Sequence, residues 1–138
     1  MNFSRFPARR HLSAMRYPVM VIGMILLMGS DVPALPKFAH WIDGTTPNEP
    51  ETQVQAIDRD TFVIRQSVRT NFEAPFLYLL FGKDRALLID TGAGGLKVRP
   101  TVDRLISAWR GTHGNRPIHL VVAHSHGHGD HHAGDDEF

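Results

Sequence analysis

Cysteine is absent from all 138 residues, which excludes disulfides, a lipid-modified cysteine and any thiolate metal ligand within the chain. Long apolar runs are missing too. The longest, Val19 to Met28, holds ten residues (VMVIGMILLM), where a bilayer core needs about twenty. No internal repeat is present. A large charge of one sign is also lacking, with 15 Lys/Arg against 14 Asp/Glu for a net +1. What basic excess there is sits at the start, where Arg5, Arg9, Arg10 and Arg16 precede any acid. Beyond Ala34, 11 Lys/Arg remain against 13 Asp/Glu, a net −2. The chain therefore offers no basis for nucleic-acid binding.

The four arginines, the short apolar run and the small residues around Val32, Pro33 and Ala34 have the order of a secretory signal. Residues 1–34 are expected to direct export to the periplasm or outside the cell. If left uncleaved, they would anchor the protein, and this segment is the only membrane contact expected. Residues 35–52 are rich in Pro, Gly, Thr and Asn without either periodicity, which suggests a linker or irregular arm.

From Gln53 the pattern changes to short strands. Val54–Ile57 and Thr61–Ile64 flank Asp58, Arg59 and Asp60 as a β-hairpin. Pro75–Phe81 (PFLYLLF) and Ala86–Ile89 (ALLI) are nearly all apolar, which predicts strands covered on both faces. Val102, Leu105, Ile106 and Trp109 recur at helical spacing on one face, with Pro100 in the first turn and Gly111 expected just past the end. Ile118–Ala123 reads as a further buried strand leading into residues 124–132, HSHGHGDHH.

That run holds five histidines and one aspartate in nine positions. Neutral imidazoles and carboxylates are good ligands for zinc and similar ions, and the intervening Ser and Gly allow a tight turn. A flexible histidine tract that binds metal loosely, or plain surface histidines, are the competing readings. The placement of aspartate immediately before a histidine favours an ordered site, as does delivery of the run by the end of a buried strand.

The segment Ser125 to Gly134, SHGHGDHHAG, is similar to the signature of the metallo-β-lactamase-fold superfamily. ALLIDTG, Ala86 to Gly92, resembles the earlier strand of the same family. The resemblance covers Gln53 to Phe138 and implies an α/β (α+β) protein of the four-layer αββα type, present as its N-terminal half. It implies that His126 and His128 hold one metal, that Asp130 and His131 hold the second, and that Asp130 also orients the nucleophile. Asp90 would support the site from behind. His124 is assigned beside it or to the surface, as is His132, and Asp135, Asp136 and Glu137 are expected to begin an acidic helix.

The resemblance further implies two divalent ions, zinc first, with iron or manganese compatible. The reaction would be hydrolysis of an ester, lactone, thioester, amide or phosphoester of a small molecule by metal-activated hydroxide. Each ion has only two ligands among these residues, whereas a catalytic zinc takes three from protein. The chain is therefore expected to be incomplete and inactive alone. The segment Arg69–Ala74 is the one candidate for contacting substrate. The alternative from another class is an exported, non-enzymatic protein whose histidine-rich end buffers or delivers zinc or copper.

Overall fold

The computed structural model describes residues 34–138, a mixed α/β domain built on one five-stranded sheet. The expected export segment lies outside the described residues, apart from Ala34. Among those described, no helix is long and apolar enough to cross a membrane.

The strands β1 (Thr52–Ala56), β2 (Thr61–Gln66), β3 (Phe76–Phe81), β4 (Arg85–Ile89) and β5 (His119–Ala123) lie side by side in chain order. The first three pairings are antiparallel, as short connections allow. At the β1–β2 turn the Ile57 N–H donates to the Thr61 carbonyl and the Asp60 N–H to Asp58 Oδ1, each at 2.8 Å. The Asp58 side chain thus replaces a backbone acceptor, which is why Asp suits this turn. β5 runs parallel to β4, and the helix α1 (Arg99–Thr112) makes the crossover between them.

Register decides which side chains share a face. Val54↔Ile64↔Leu77 and Phe62↔Leu79↔Leu88↔Val122 align across the sheet. This face packs on α1 through Val98, Val102 and Trp109, with Leu105 and Ile106 alongside. Ile64, Leu77, Leu79, Leu88, Val98 and Val102 are fully buried. The helical stripe read from the sequence therefore meets the sheet as expected.

Two details differ from expectation. Gly111 lies inside α1, because the helix ends with its last carbonyls taken by nearby donors. Thr112 Oγ1 donates to the Trp109 carbonyl, and the N–H groups of His113 and Asn115 to that of Arg110. Gly114 (φ 72°) and Asn115 (φ 54°) then make the left-handed turn. The strands are also not covered on both faces among the described residues. Tyr78 and Val121 point away from α1 and are about two-fifths exposed, and β5 alternates exposed and half-buried positions because its side chains point in turn to the open face and to the face that meets α1.

The second face is partly covered by residues 34–51, which contain neither helix nor strand. Trp41 stands edge-on to Phe76 with ring centroids 5.0 Å apart, and Ile42 is buried. Side chains hold this arm in place. Gln55 Oε1 accepts from the Ala39 N–H and Gln53 Oε1 from the Ile42 N–H, while Arg65 Nε donates to the Ile42 carbonyl.

Candidate metal centre

β4 and β5 are parallel neighbours, so their C-terminal ends deliver two loops to one place. Asp90 follows β4 and His124 follows β5. The Asp90 N–H closes the ladder on the Ala123 carbonyl at 2.8 Å, and the chain then turns with Asp90 at φ 68° and Gly92 at φ 98°. Asp tolerates this left-handed region better than most residues. Gly92 also lies beneath the Gln66 amide, where a Cβ would approach Oε1 to 2.5 Å. Gln66 Oε1 accepts from the Ala93 N–H, so β2 braces the far side of the turn.

The loop 124–134 is stitched to that turn. The Thr91 N–H donates to the His131 carbonyl at 2.8 Å, and the Ala133 N–H to the Gly92 carbonyl at 3.1 Å. Gly134 packs on the Thr91 carbonyl with no room for a side chain. A short helix, α2 (Gly129–His132), carries Asp130 and His131. Next comes a 3₁₀ turn, Asp135–Glu137, which bears out the expected helical start but not only as that. Glu137 crosses to α1 and its carboxylate accepts from the N–H groups of Val98 and Arg99 at 3.2 and 3.0 Å. Val98, the first flanking residue of α1, has no side-chain acceptor of its own, and Glu137 supplies the cap.

Asp90 is 2% exposed and carries the densest set of hydrogen bonds in the region. Its Oδ1 accepts from the Ser125 N–H at 2.7 Å, and its Oδ2 from the Ser125 hydroxyl and His131 Nδ1, each at 2.8 Å. Burial pushes the Asp90 carboxyl up, but the Ser125 amide, the His131 ring and the Ser125 hydroxyl outweigh it and hold its pKa below the ordinary carboxylate value. An ionised carboxylate can only accept, so His131 Nδ1 bears the proton and Nε2 faces outward.

Outside Asp90 the sequence candidates lie close together. His131 Nε2 is 3.0 Å from Asp130 Oδ2. The His126 ring centroid is 4.0 Å from that of His131 and 4.6 Å from that of His128. His126 Nδ1 also reaches the Ser125 hydroxyl at 3.0 Å. Among the described residues, no group of three or more His, Asp or Glu side chains closes on one metal-sized point. The donors form a carboxylate–imidazole pair with two rings beside it. His124 sits apart, its Nε2 3.2 Å from Asp135 Oδ1 and its Nδ1 3.9 Å from Asp90 Oδ1. His132 is exposed, its ring centroid 6.1 Å from that of His124.

A cavity of about 540 Å³ opens beside the cluster, lined by His128, Asp130, Gly127, Gly129, Ala93, Ala133 and Glu73. Glu73 comes from the Arg69–Ala74 segment, which Asn71 ties to the site by donating from Nδ2 to the Ala93 carbonyl at 3.2 Å. Within the same segment Phe72 is exposed. Ser125 and Gln66 are residues of this region whose contacts the sequence did not reveal, and Asp135, expected only to begin a helix, also accepts from Thr91 Oγ1 at 2.8 Å. Ser125 was legible as the residue opening the motif, whereas nothing in the sequence ties Gln66 to a turn 26 positions away. Compared with known proteins, the chain matches no family model, and neither a curated protein nor a solved structure aligns with it significantly.

Proposed function

We propose that His126, His128, Asp130 and His131 hold divalent metal, zinc first, in an exported hydrolase of the metallo-β-lactamase type with the four-layer αββα fold. The observation that carries this reading is His131 between two carboxylates. Its Nδ1 donates to buried Asp90, and its Nε2 lies 3.0 Å from Asp130. That spacing suits two ligands of one shared cation. Two ligands on one tetrahedral zinc, with bonds of about 2.0–2.1 Å, stand roughly 3.3 Å apart. A carboxylate behind a ligating histidine also fixes its tautomer and raises its basicity.

Bound ions of this kind supply Lewis acidity and hydroxide at neutral pH. The chain's own part is placement. Asp90 aims His131, and Ser125 links Asp90 to His126. Asp130 lines the cavity where a substrate carbonyl or phosphoryl group would lie, and Glu73 forms part of its rim. Small-molecule esters, lactones, thioesters, amides and phosphoesters remain the substrate classes. Four donors leave the shells of two ions open. In the family, residues of a C-terminal half complete them.

The exposure of His124, His126, His128 and His132 favours a second reading, a non-enzymatic histidine tract that buffers zinc or copper. Zinc stoichiometry and affinity separate the two. On the hydrolase reading, His126→Ala with Asp130→Ala abolishes tight binding, whereas His124→Ala with His132→Ala leaves it intact. Stepwise loss of capacity with each histidine removed, whichever it is, would establish the buffering tract instead.

A further inference from the structure

The opposite end of the sheet holds a second cleft of about 310 Å³, with no contribution from the histidine cluster. Its floor is an aromatic column. Trp109 stacks on Phe81 (centroids 4.7 Å, planes 7° apart) and on His113 (3.9 Å, 9°). The polar groups of the column are already engaged. Trp109 Nε1 donates to Asp60 Oδ1 at 2.8 Å, and His113 Nδ1 pairs with the Trp109 carbonyl at 2.7 Å. Arg59 Nε occupies Asp60 Oδ2 at 2.8 Å.

The rim is cationic. Arg59, Lys83 and Arg116 line the cleft against the single carboxylate of Asp60, an excess of two positive charges. Among the described residues Lys83 and Arg116 enter no ion pair, although Arg116 is held over the Trp109 ring with its Cζ 5.1 Å from the centroid. The C-terminus of α1 lies here, and its carbonyls would repel an anion if bare. Two of them are engaged, since Thr112, His113 and Asn115 take those of Trp109 and Arg110, and Arg110 itself donates to the carbonyls of Asn115 and Arg116.

We propose that this cleft binds a small organic oxyanion, with Lys83 and Arg116 holding the charged group and the partly exposed His113 ring, at the open end of the column, receiving a flat apolar part. The cleft volume is at the lower bound of ordinary ligand sites, about 300 Å³, which limits the ligand to roughly one ring and one anionic group. Two unpaired cations over an aromatic floor suit a carboxylate or a phosphate monoester, and a guanidinium favours bidentate contact with either.

Trp109 is the natural reporter, and Trp41→Phe makes it the sole tryptophan. This variant is titrated with phenyl phosphate, benzoate and inorganic phosphate at constant ionic strength, and emission is followed with calorimetry in parallel. Saturable binding of phenyl phosphate or benzoate, weakened roughly tenfold or more by Lys83→Glu with Arg116→Glu, is the expected result. Which of the two binds more tightly assigns the ligand as phosphate or carboxylate. Binding of inorganic phosphate as tight as that of phenyl phosphate would overturn the ring contact. Absence of saturation, or equal affinity in the charge-reversed variant, would overturn the proposal. If charge reversal impairs folding, Lys83→Gln and Arg116→Gln singly, with melting curves matching the parent, give the same comparison.

Discussion

Both ends of the sheet pair an aspartate with a histidine, and the two pairs are built for different ends. At one end Asp90 accepts His131 Nδ1 at 2.8 Å and leaves Nε2 beside Asp130 and the His126 ring. At the other, Asp60 lies 3.6 Å from His113 Nε2, but that imidazole is stacked on Trp109 and its Nδ1 is held by a backbone carbonyl. His113 thus leaves neither ring nitrogen free for a metal, since Nδ1 meets the Trp109 carbonyl and Nε2 faces Asp60. A carboxylate–imidazole pair is therefore not by itself a site. The distinction lies in whether the second nitrogen looks onto other donors and open space.

The comparison can be broken or sharpened by substitution. Trp109→Ala should have the largest effect, removing both stacking partners and the Asp60 hydrogen bond at a cost of about 3–5 kcal/mol in urea unfolding. Zinc affinity of the remaining folded protein should be unchanged. A parallel loss of zinc binding would mean that the two ends are coupled. Asp90→Asn should leave the fold in place and lower zinc affinity by about 10–100-fold in a chelator competition, whereas Asp60→Asn should leave it untouched. Equal effects of the two would erase the distinction.

Glu137→Ala should cost about 1 kcal/mol by uncapping α1, and it leaves the Arg99 contacts to the residue 137 carbonyl and the Phe138 ring as the remaining ties between the metal loop and the helix. Hydrogen exchange should then rise at Val98 and Arg99 before anywhere in β2 or β3. The smallest effect concerns pH. Asp60 is held below the ordinary carboxylate pKa by Trp109 Nε1 and then by Arg59, against a small opposing effect of burial. A carboxyl with a lowered folded pKa contributes stability above its unfolded value, about 3.9, and this is lost as pH falls through the folded value. The Tm of Asp60→Asn should thus lie beneath that of the parent at pH 6 and approach it as pH falls through the folded value. A constant gap across that range would show that the charge is irrelevant.

The sequence made local features legible and distant pairings not. The α1 stripe was readable because helical periodicity is a property of adjacent turns, and the apolar strands were readable by composition. The His126, His128, Asp130 and His131 candidates lie within six positions, so their spacing survives without a structure. Asp90 was nominated by its place in the ALLIDTG strand, and its contacts with Ser125 and His131 depend on β4 and β5 being parallel neighbours. By contrast, the Glu137 cap joins residues 38 and 39 positions apart, and the Trp109–Asp60 bond spans 49. No local pattern encodes either. Gly111 misled because glycine marks a helix end only when no other device satisfies the final carbonyls, and here Thr112, His113 and Asn115 do so. The apolar composition of β5 suggested full burial, but side chains alternate between the two sheet faces and only one of them meets α1 here.

The left-handed backbone of Asp90 has a consequence for how variation could accumulate there. Two independent filters act on this codon. Conformation at φ 68° admits glycine, asparagine and aspartate far more readily than other residues. Acceptance of three hydrogen bonds, two from Ser125 and one from an imidazole, requires two anionic oxygens on a short stem. Glycine and asparagine pass the first and fail the second, for want of two anionic oxygens, and glutamate fails both, its stem being one methylene too long. Aspartate alone passes both, so a saturation scan across the chain should find position 90 with an alphabet of one letter.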